Sequence, residues 1–243
     1  MIRASVLALV VGLASPVLAQ TPTPDTLFAA AQLAHGGAAV TSVDRIRLTG
    51  RSRVDDGDAQ PITITAGLDG RLRVDYGDPL QRSIVTTTSG SSEIHNGKKT
   101  AKPAHDGAYS QLDLLTVFGI RHLALAASRT TLAPGSINAR ATYRVRAATG
   151  REIQPYGRRV RDEADIDFDS QNGLVAAITR QQYGADSLDL AFEMRTVFSD
   201  YRRAGDFVLP FRIERYVNGR LRETIAIGVI EINPAFPTDL FAR

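Results

Sequence analysis

The stretch from Ser187 to Ile232, SLDLAFEMRTVFSDYRRAGDFVLPFRIERYVNGRLRETIAIGVIEI, decides the fold. In its first part, residues of one side alternate with polar or small residues at a period of two, which predicts a β-strand. Two more apolar segments follow, one on each side of Asn218-Gly219, a dipeptide typical of tight hairpins. Pro210 predicts an edge or a bulge in the middle segment, because proline donates no hydrogen bond to a ladder. The stretch therefore predicts three successive strands, and one side of the first comprises Leu188, Leu190, Phe192, Met194 and Thr196.

The same pattern extends toward the N terminus. Segments of period two fill residues 46–96 and 139–184, and turn dipeptides such as Asp69-Gly70, Asn96-Gly97 and Asn172-Gly173 separate them. These dipeptides supply the positive φ angles that tight hairpins need, so they predict an antiparallel meander. About ten strands are more than a flat sheet carries comfortably. The predicted fold class is mainly β with α: a curved antiparallel sheet, or incomplete β-barrel, of about ten strands.

Two helical segments accompany the predicted sheet. Asp25 is placed to cap a helix that Gly36-Gly37 would end. A central insertion begins with a polar loop at Lys98–Pro103 and continues with helical spacing at about residues 109–127. One side of this second helix comprises Leu112, Leu115 and Phe118. We expect the N-terminal helix and the central insertion to cover the sheet, the latter as a lid.

The N terminus has the pattern of a cleaved export signal. Arg3 precedes an apolar run at residues 6–13, and Val17-Leu18-Ala19 supplies small residues at a cleavage site after Ala19. The run is shorter than the roughly 20 residues of a membrane-spanning helix, so no integral span is expected. The chain has no cysteine, which excludes a lipid-modified cysteine and disulfides. We expect a periplasmic protein with a linker and helix at 20–45 and one incomplete-barrel domain at 46–243.

Charge and motifs exclude several classes of function. The formal charge of +3 falls to +2 without Arg3, with 28 basic against 26 acidic side chains, so nucleic-acid binding is not expected. The histidines have no metal-ligand spacing, and no nucleophile elbow or phosphate loop is present. Neither a metal nor a cofactor is therefore expected, and no residue is assigned a catalytic role. The histidines are His35, His95, His105 and His122.

Arginines alternate along several strands, which indicates the solvent face of an antiparallel sheet. A basic surface for an anionic head group or an acidic partner is the alternative. The arginines concerned are Arg47, Arg51, Arg53, Arg71, Arg73, Arg144 and Arg146.

The opposite, apolar side of the strands is the candidate binding surface. If the central helix packs tightly on it, the residues form a core; if the helix is a loose lid, the same residues line a cavity for an apolar ligand. The pattern leaves both open. The candidate ligand-binding residues are Leu112, Leu115, Phe118, Ile64, Val74, Phe168, Leu190, Phe192 and Ile227.

The order of these parts, together with a set of C-terminal residues, resembles bacterial periplasmic proteins of the outer-membrane lipoprotein carrier (LolA/LolB-like) superfamily. The resemblance implies an incomplete barrel that holds lipid or lipoprotein acyl chains between sheet and lid, without cofactor or reaction. The residues that carry it are Asp200-Tyr201-Arg202, Gly205, Leu209-Pro210, Asn218-Gly219, Ile232-Asn233, Phe236-Pro237 and Leu240-Phe241.

Two other functions remain open from the residues alone. A cell-envelope interaction module would have a filled core and recruit a protein partner through an edge strand or the basic face. A hydrolase of envelope glycans or lipids would need paired carboxylates. Candidate acids on alternating strand positions are Asp165, Asp167, Glu193 and Glu214.

Overall fold

A computed structural model of the chain describes residues 21–87, 90–102, 115–153, 160–183 and 191–242. The predicted export signal, Leu112, Leu190 and the first part of the predicted lid lie outside the described residues. Among the described residues, no helix has both the length and the apolar character that a membrane span requires.

A single large antiparallel sheet dominates the fold, as the alternating pattern predicts. It is curved and unclosed, and its strand order is β6-β5-β4-β3-β2-β1-β14-β13-β12-β11-β10-β9-β7, with β8 beside β9. The strands are β1 (Arg45–Val54), β2 (Gln60–Gly67), β3 (Leu72–Tyr76), β4 (Arg82–Thr87), β5 (Gly90–His95), β6 (Lys98–Lys102), β7 (Ser128–Thr131), β8 (Gly135–Ile137), β9 (Arg140–Ile153), β10 (Val160–Asp169), β11 (Val175–Tyr183), β12 (Ala191–Ala204), β13 (Phe207–Val217) and β14 (Arg220–Ile232).

Within the described residues the sheet has 14 strands, so the predicted count of about ten is too low. Lys98–Lys102, predicted as a polar loop, forms β6 and pairs with β5. This strand lies at one edge of the sheet, where exposed lysines are common and no apolar side needs to be buried. β7 and β8 lie at the other edge and are short. All three strands lack the apolar alternation that reveals the others.

Tight turns join the strands where the sequence predicts them. Asn218 and Gly219 have φ angles of 48° and 76°, and they connect β13 to β14. Asn96 and Gly97 have φ angles of 48° and 78° between β5 and β6. Both pairs occupy the left-handed region that Asn-Gly hairpins require. The hairpin prediction is therefore confirmed at both positions.

In the part of the chain that the structure describes, two α-helices pack on the same side of the sheet, which we call the inner face. Helix α1 (Pro24–His35) begins after Thr23 and ends at Gly36, and a 3₁₀ turn (Gly37–Ser42) leads into β1. Helix α2 (Thr116–Ala124) follows the undescribed residues 103–114. Buried residues of both helices and of the inner face form one continuous apolar cluster.

The opposite, outer face is covered by ion pairs. Arginines predicted for the solvent side lie here beside carboxylates: Arg47 contacts Glu231 at 3.2 Å and Arg73 contacts Asp75 at 2.8 Å. The C-terminal tail crosses this face, where Arg73 donates to the carbonyl oxygen of Leu240. Guanidinium groups of Arg45 and Arg47 lie over the ring of Phe236 in the tail.

Candidate functional site

Six of the nine candidate residues come together on the inner face. Each is at most 7 % exposed and belongs to the continuous apolar cluster. Phe192 is half-buried on β12, and Leu112 and Leu190 lie outside the described residues. The six are Leu115, Phe118, Ile64, Val74, Phe168 and Ile227. Their close packing gives this part of the inner face the character of a core.

An apolar cleft opens where two neighbouring strands separate. The β13–β14 ladder runs from Arg212 to Val217, whereas β14 stays paired with β1 as far as Ile232. The cleft has a volume of about 240 Å³, open to solvent, and its enclosed part has room for about one water molecule. It is lined by Ile46, Leu48, Leu115, Thr116, Val117, Leu209, Pro210 and Ile230.

Of the predicted site residues that the structure describes, only Leu115 lines this cleft. The other lining residues were missed because alternation assigns neighbours such as Leu209 and Pro210 to opposite sides of a strand, whereas both line the cleft. Alternation also does not show where β13 separates from β14. One signal was present in the sequence: Pro210, which predicts an edge or bulge. It lies beyond the end of the β13–β14 ladder, in a part of the strand that behaves locally as an edge.

Helix α2 forms one wall of the cleft and covers the inner face. The side chains of Thr116, Val117, Phe118, Ile120 and Leu123 are buried beneath it. Gly119 lies against β11, because a Cβ atom at this position would be 3.0 Å from Cδ1 of Ile178. Near the end of the helix, Arg121 donates a hydrogen bond to the carbonyl oxygen of Val43.

Thr116 is an unusual member of the cleft wall. Its side chain is 1 % exposed, and its hydroxyl has no hydrogen-bond partner among the described residues. Leaving a buried hydroxyl unpaired costs about 1–3 kcal/mol. Helix α2 also begins without a side-chain cap, because its N-cap residue is Leu115.

A cluster of polar side chains lies on the inner face between the apolar cluster and the Asn218-Gly219 hairpin. Glu223 is its centre: it accepts hydrogen bonds from Ser52 at 2.7 Å, Tyr76 at 3.2 Å and Arg215 at 3.0 Å. Burial, and then the Glu223 carboxylate, raise the pKa of Tyr76 well above its ordinary value. The pattern of the strands did not reveal this cluster, because its members lie on four separate strands.

A second buried ion pair lies on the inner face near α2. Arg180 of β11 donates to Asp162 of β10 at 2.6 Å, and Thr149 donates to the same carboxylate at 2.9 Å. His122 of α2 lies beside them. Burial, and then the Arg180 charge, lower the pKa of His122, while Asp162 opposes the shift. The inner face therefore has an apolar part and a charged part.

The candidate acids of the hydrolase alternative lie on the outer face. Asp165 and Asp167 accept from Arg146 at 2.7 Å and from Arg144 at 3.0 Å. Glu193 and Glu214 likewise contact arginines of their own strands. Among the described residues, no group of three or more metal-ligating side chains is present. Each of these carboxylates is therefore paired with an arginine on the outer face, and Asp167 is fully buried in its pair.

Comparison with known proteins identifies the fold. No family model matches the sequence, and no curated protein matches it either. A solved LolA superfamily protein from Nitrosomonas europaea is 8 % identical with a TM-score of 0.54, covering 91 % of this chain and 98 % of that one. A solved domain from Vibrio parahaemolyticus, described as an outer membrane lipoprotein-sorting protein domain, is 8 % identical with a TM-score of 0.54. It covers 82 % of this chain and 89 % of that one.

A third solved structure, a DUF1329 family protein from Desulfovibrio piger, is also 8 % identical, with a TM-score of 0.55. That match covers 89 % of this chain and 95 % of the other. At such low identity the similarity establishes the fold alone. The chain has a LolA-like fold, as the resemblance of its sequence predicts.

Proposed function

We propose that this protein is a carrier-like protein of the bacterial periplasm that binds an apolar ligand between α2 and the inner face. The ligand would be a lipid or the acyl chain of a lipoprotein, and no reaction would follow. One observation carries the proposal: an apolar cleft lies between the start of α2 and the separating strands β13 and β14. The LolA-like fold supports it, because a similar structure is described as a lipoprotein-sorting domain.

Helix α2 must move for a ligand of this size to enter. Small-molecule sites usually measure about 300–1,000 Å³, and the enclosed part of the present cleft is far smaller. Displacing α2 would expose inner-face residues such as Ile64, Phe168 and Ile227 to the ligand. In this proposal the buried candidate residues line the site in its open form, and contact α2 in its closed form.

The test begins with protein exported to the periplasm. Native mass spectrometry followed by lipid extraction should find a co-purified lipid, and the purified protein should bind a fluorescent fatty-acyl probe. The Ile230→Trp variant should lose most of this binding, because the larger ring would fill the cleft. Val229→Trp is the matched control: Val229 is the next residue on the same strand and is 56 % exposed, so binding should be retained.

One alternative has an observation in its favour. The six clustered candidates are almost fully buried, as expected for an interaction module whose core is permanently filled. Such a protein would carry no lipid, and Ile230→Trp and Val229→Trp would both leave its interactions unchanged. Failure to find a co-purified lipid, together with failure to bind the probe, would contradict the carrier proposal.

A further inference from the structure

The inner face changes from apolar to polar along several of its strands, always toward the end of the sheet that carries the Asn218-Gly219 turn. On β14 the buried Ile225 is followed in this direction by Glu223. On β13 the buried Ile213 is followed by Arg215, which is paired with Glu223. We call the polar part the polar band. Its described members are Glu93, Arg82, Tyr76, Ser52, Glu223, Arg215, Arg180, Asp162 and Thr149.

Tyr76 joins two ion pairs of the polar band. The Arg82 guanidinium lies over the Tyr76 ring, 5.6 Å from its centroid, and donates a hydrogen bond to Glu93. The Tyr76 hydroxyl donates to one oxygen of Glu223 at 3.2 Å, and Arg215 donates to the other oxygen at 3.0 Å. The side chains of Arg82, Glu93 and Arg215 are 40 %, 20 % and 19 % exposed. Water, and therefore a polar ligand, can reach this part of the band.

The two parts of the inner face are close enough to bind one amphiphilic molecule. Residues two positions apart on a strand are separated by about 7 Å, so Glu223 lies one such step from the buried Ile225. An acyl chain that covers the apolar cluster therefore brings its polar end to the polar band. A plain hydrocarbon would leave the band without a role in binding.

The charges of the polar band restrict the head group that it can bind. An anion that drew Arg215 away from Glu223 would leave a buried carboxylate without its counter-charge, which is strongly unfavourable. A head group that carries both charges avoids this cost. Its phosphate can accept charge-assisted hydrogen bonds from arginines, while its ammonium group donates to a carboxylate.

We propose that the polar band binds the head group of a zwitterionic phospholipid whose acyl chains lie on the apolar part of the inner face. The phosphate accepts hydrogen bonds from Arg82 and Arg215, and the primary ammonium group donates to Glu93. This inference rests on the proposed function and specifies the class of ligand: a lipid with a phosphate and an ammonium group in its head, rather than an anionic or an uncharged lipid.

The experiment compares three probes that have the same acyl chain. The head of 1-oleoyl-lysophosphatidylethanolamine carries both charges, that of 1-oleoyl-lysophosphatidylglycerol carries only the phosphate, and 1-oleoylglycerol is uncharged. Each probe, below its critical micelle concentration, competes with a fluorescent fatty-acyl probe for the full-length protein. The wild-type protein should bind the zwitterionic probe about tenfold more tightly than either of the others, a factor within the range of one charge-assisted hydrogen bond.

The double variant Arg82→Gln/Glu93→Gln removes one ion pair without leaving a lone charge. It should still bind 1-oleoylglycerol but should lose the preference for the zwitterionic probe. The matched control is Arg146→Gln/Asp165→Asn, because this ion pair of the outer face has similar exposed fractions, 49 % and 19 %. The control should keep the preference. Glu93→Gln alone should bring the zwitterionic and anionic probes to similar affinity, since only the partner of the ammonium group is lost.

The outcomes separate this inference from the proposed function. If the wild-type protein binds none of the three probes, the proposed function fails. If it binds them equally, if it prefers the anionic probe, or if Arg82→Gln/Glu93→Gln keeps the preference, the head-group site is wrong although the carrier proposal stands. Glycerophosphoethanolamine, the head group without an acyl chain, should not displace the fluorescent probe. Displacement at the concentration that suffices for the acylated form would identify a water-soluble ligand and contradict a phospholipid.

Discussion

The two helices on the inner face are held there in very different ways. Helix α1 is capped at both ends: Thr23 accepts from the N–H of Thr26, and Gly36 donates to the carbonyl oxygens of Gln32 and Leu33. Helix α2 has 9 residues, an apolar N-cap residue and a glycine in its interior. Each of these three features lowers the intrinsic stability of a helix.

The contacts with the sheet also hold α1 more specifically than α2. His35, the last residue of α1, donates from Nδ1 to the Val208 carbonyl oxygen at 2.8 Å, and its Nε2 accepts from the N–H of Val175 at 3.4 Å. The ring of Phe28 lies edge-on to Phe168, with centroids 5.2 Å apart. Helix α2 rests mainly on apolar contacts, and the hydrogen bond from Arg121 to the Val43 carbonyl oxygen is a polar contact near its end. From this difference we expect α1 to stay fixed on the sheet and α2 to be the element that moves.

The largest predicted effect comes from placing a charge under each helix. Phe28→Asp should unfold the protein, because burying an unpaired carboxylate costs more than about 4 kcal/mol and α1 cannot leave the sheet. Phe118→Asp should release α2 while the sheet still unfolds cooperatively, with a smaller urea m-value and loss of ligand binding. Circular dichroism and urea titration measure both. If Phe118→Asp unfolds the whole domain as Phe28→Asp does, α2 belongs to the core and is no lid.

A smaller effect follows from the histidine that holds α1. Burial lowers the pKa of His35 from its ordinary 6.5 to about 4, although its hydrogen bond to Val208 opposes the shift. Below pH 6.5 the unfolded chain takes up a proton that the folded protein resists. Stability from this group is therefore full above pH 6.5 and falls as the pH drops to 4, by up to about 3 kcal/mol.

Urea titrations between pH 7 and pH 4 measure this loss. The His35→Gln variant should be less stable at pH 7 and should lose less stability on acidification than the wild-type protein. The corresponding His122→Gln variant in α2 should change the pH dependence of global unfolding much less, since α2 can open separately. Equal loss of stability in the wild-type protein and in His35→Gln would show that His35 does not fix α1 in the way described.

The sequence predicts the strands of the sheet better than it predicts the residues of the candidate site. Alternation and the Asn218-Gly219 turn reveal β12 to β14, because each strand must bury one side. Lys98–Lys102 was missed because an edge strand has no such requirement. The Glu223 cluster depends on the register of four strands, and the unpaired hydroxyl of Thr116 depends on how α2 is placed over the sheet. Neither leaves a pattern that neighbouring residues in the sequence could show.

The smallest predicted effect concerns how tightly α2 packs. Gly119→Ala should favour the helix by about 1 kcal/mol through its intrinsic propensity, but the new methyl would lie 3.0 Å from Cδ1 of Ile178. This contact should offset most of the gain. Ile178→Val removes that carbon atom, and alone it should cost about 0.5–1.5 kcal/mol.

The double variant distinguishes the two contributions. With both substitutions the methyl group introduced by Gly119→Ala would occupy space that Cδ1 of Ile178 has left, so their effects on unfolding should be coupled favourably by about 0.5–1 kcal/mol. Because the coupling tightens α2 on the sheet, the double variant should also take up a fluorescent acyl probe more slowly than Ile178→Val alone. Stopped-flow mixing measures that rate. A coupling without any change in uptake would mean that the ligand enters by a route that leaves α2 in place, and the contrast between a fixed α1 and a mobile α2 would then have no role in binding.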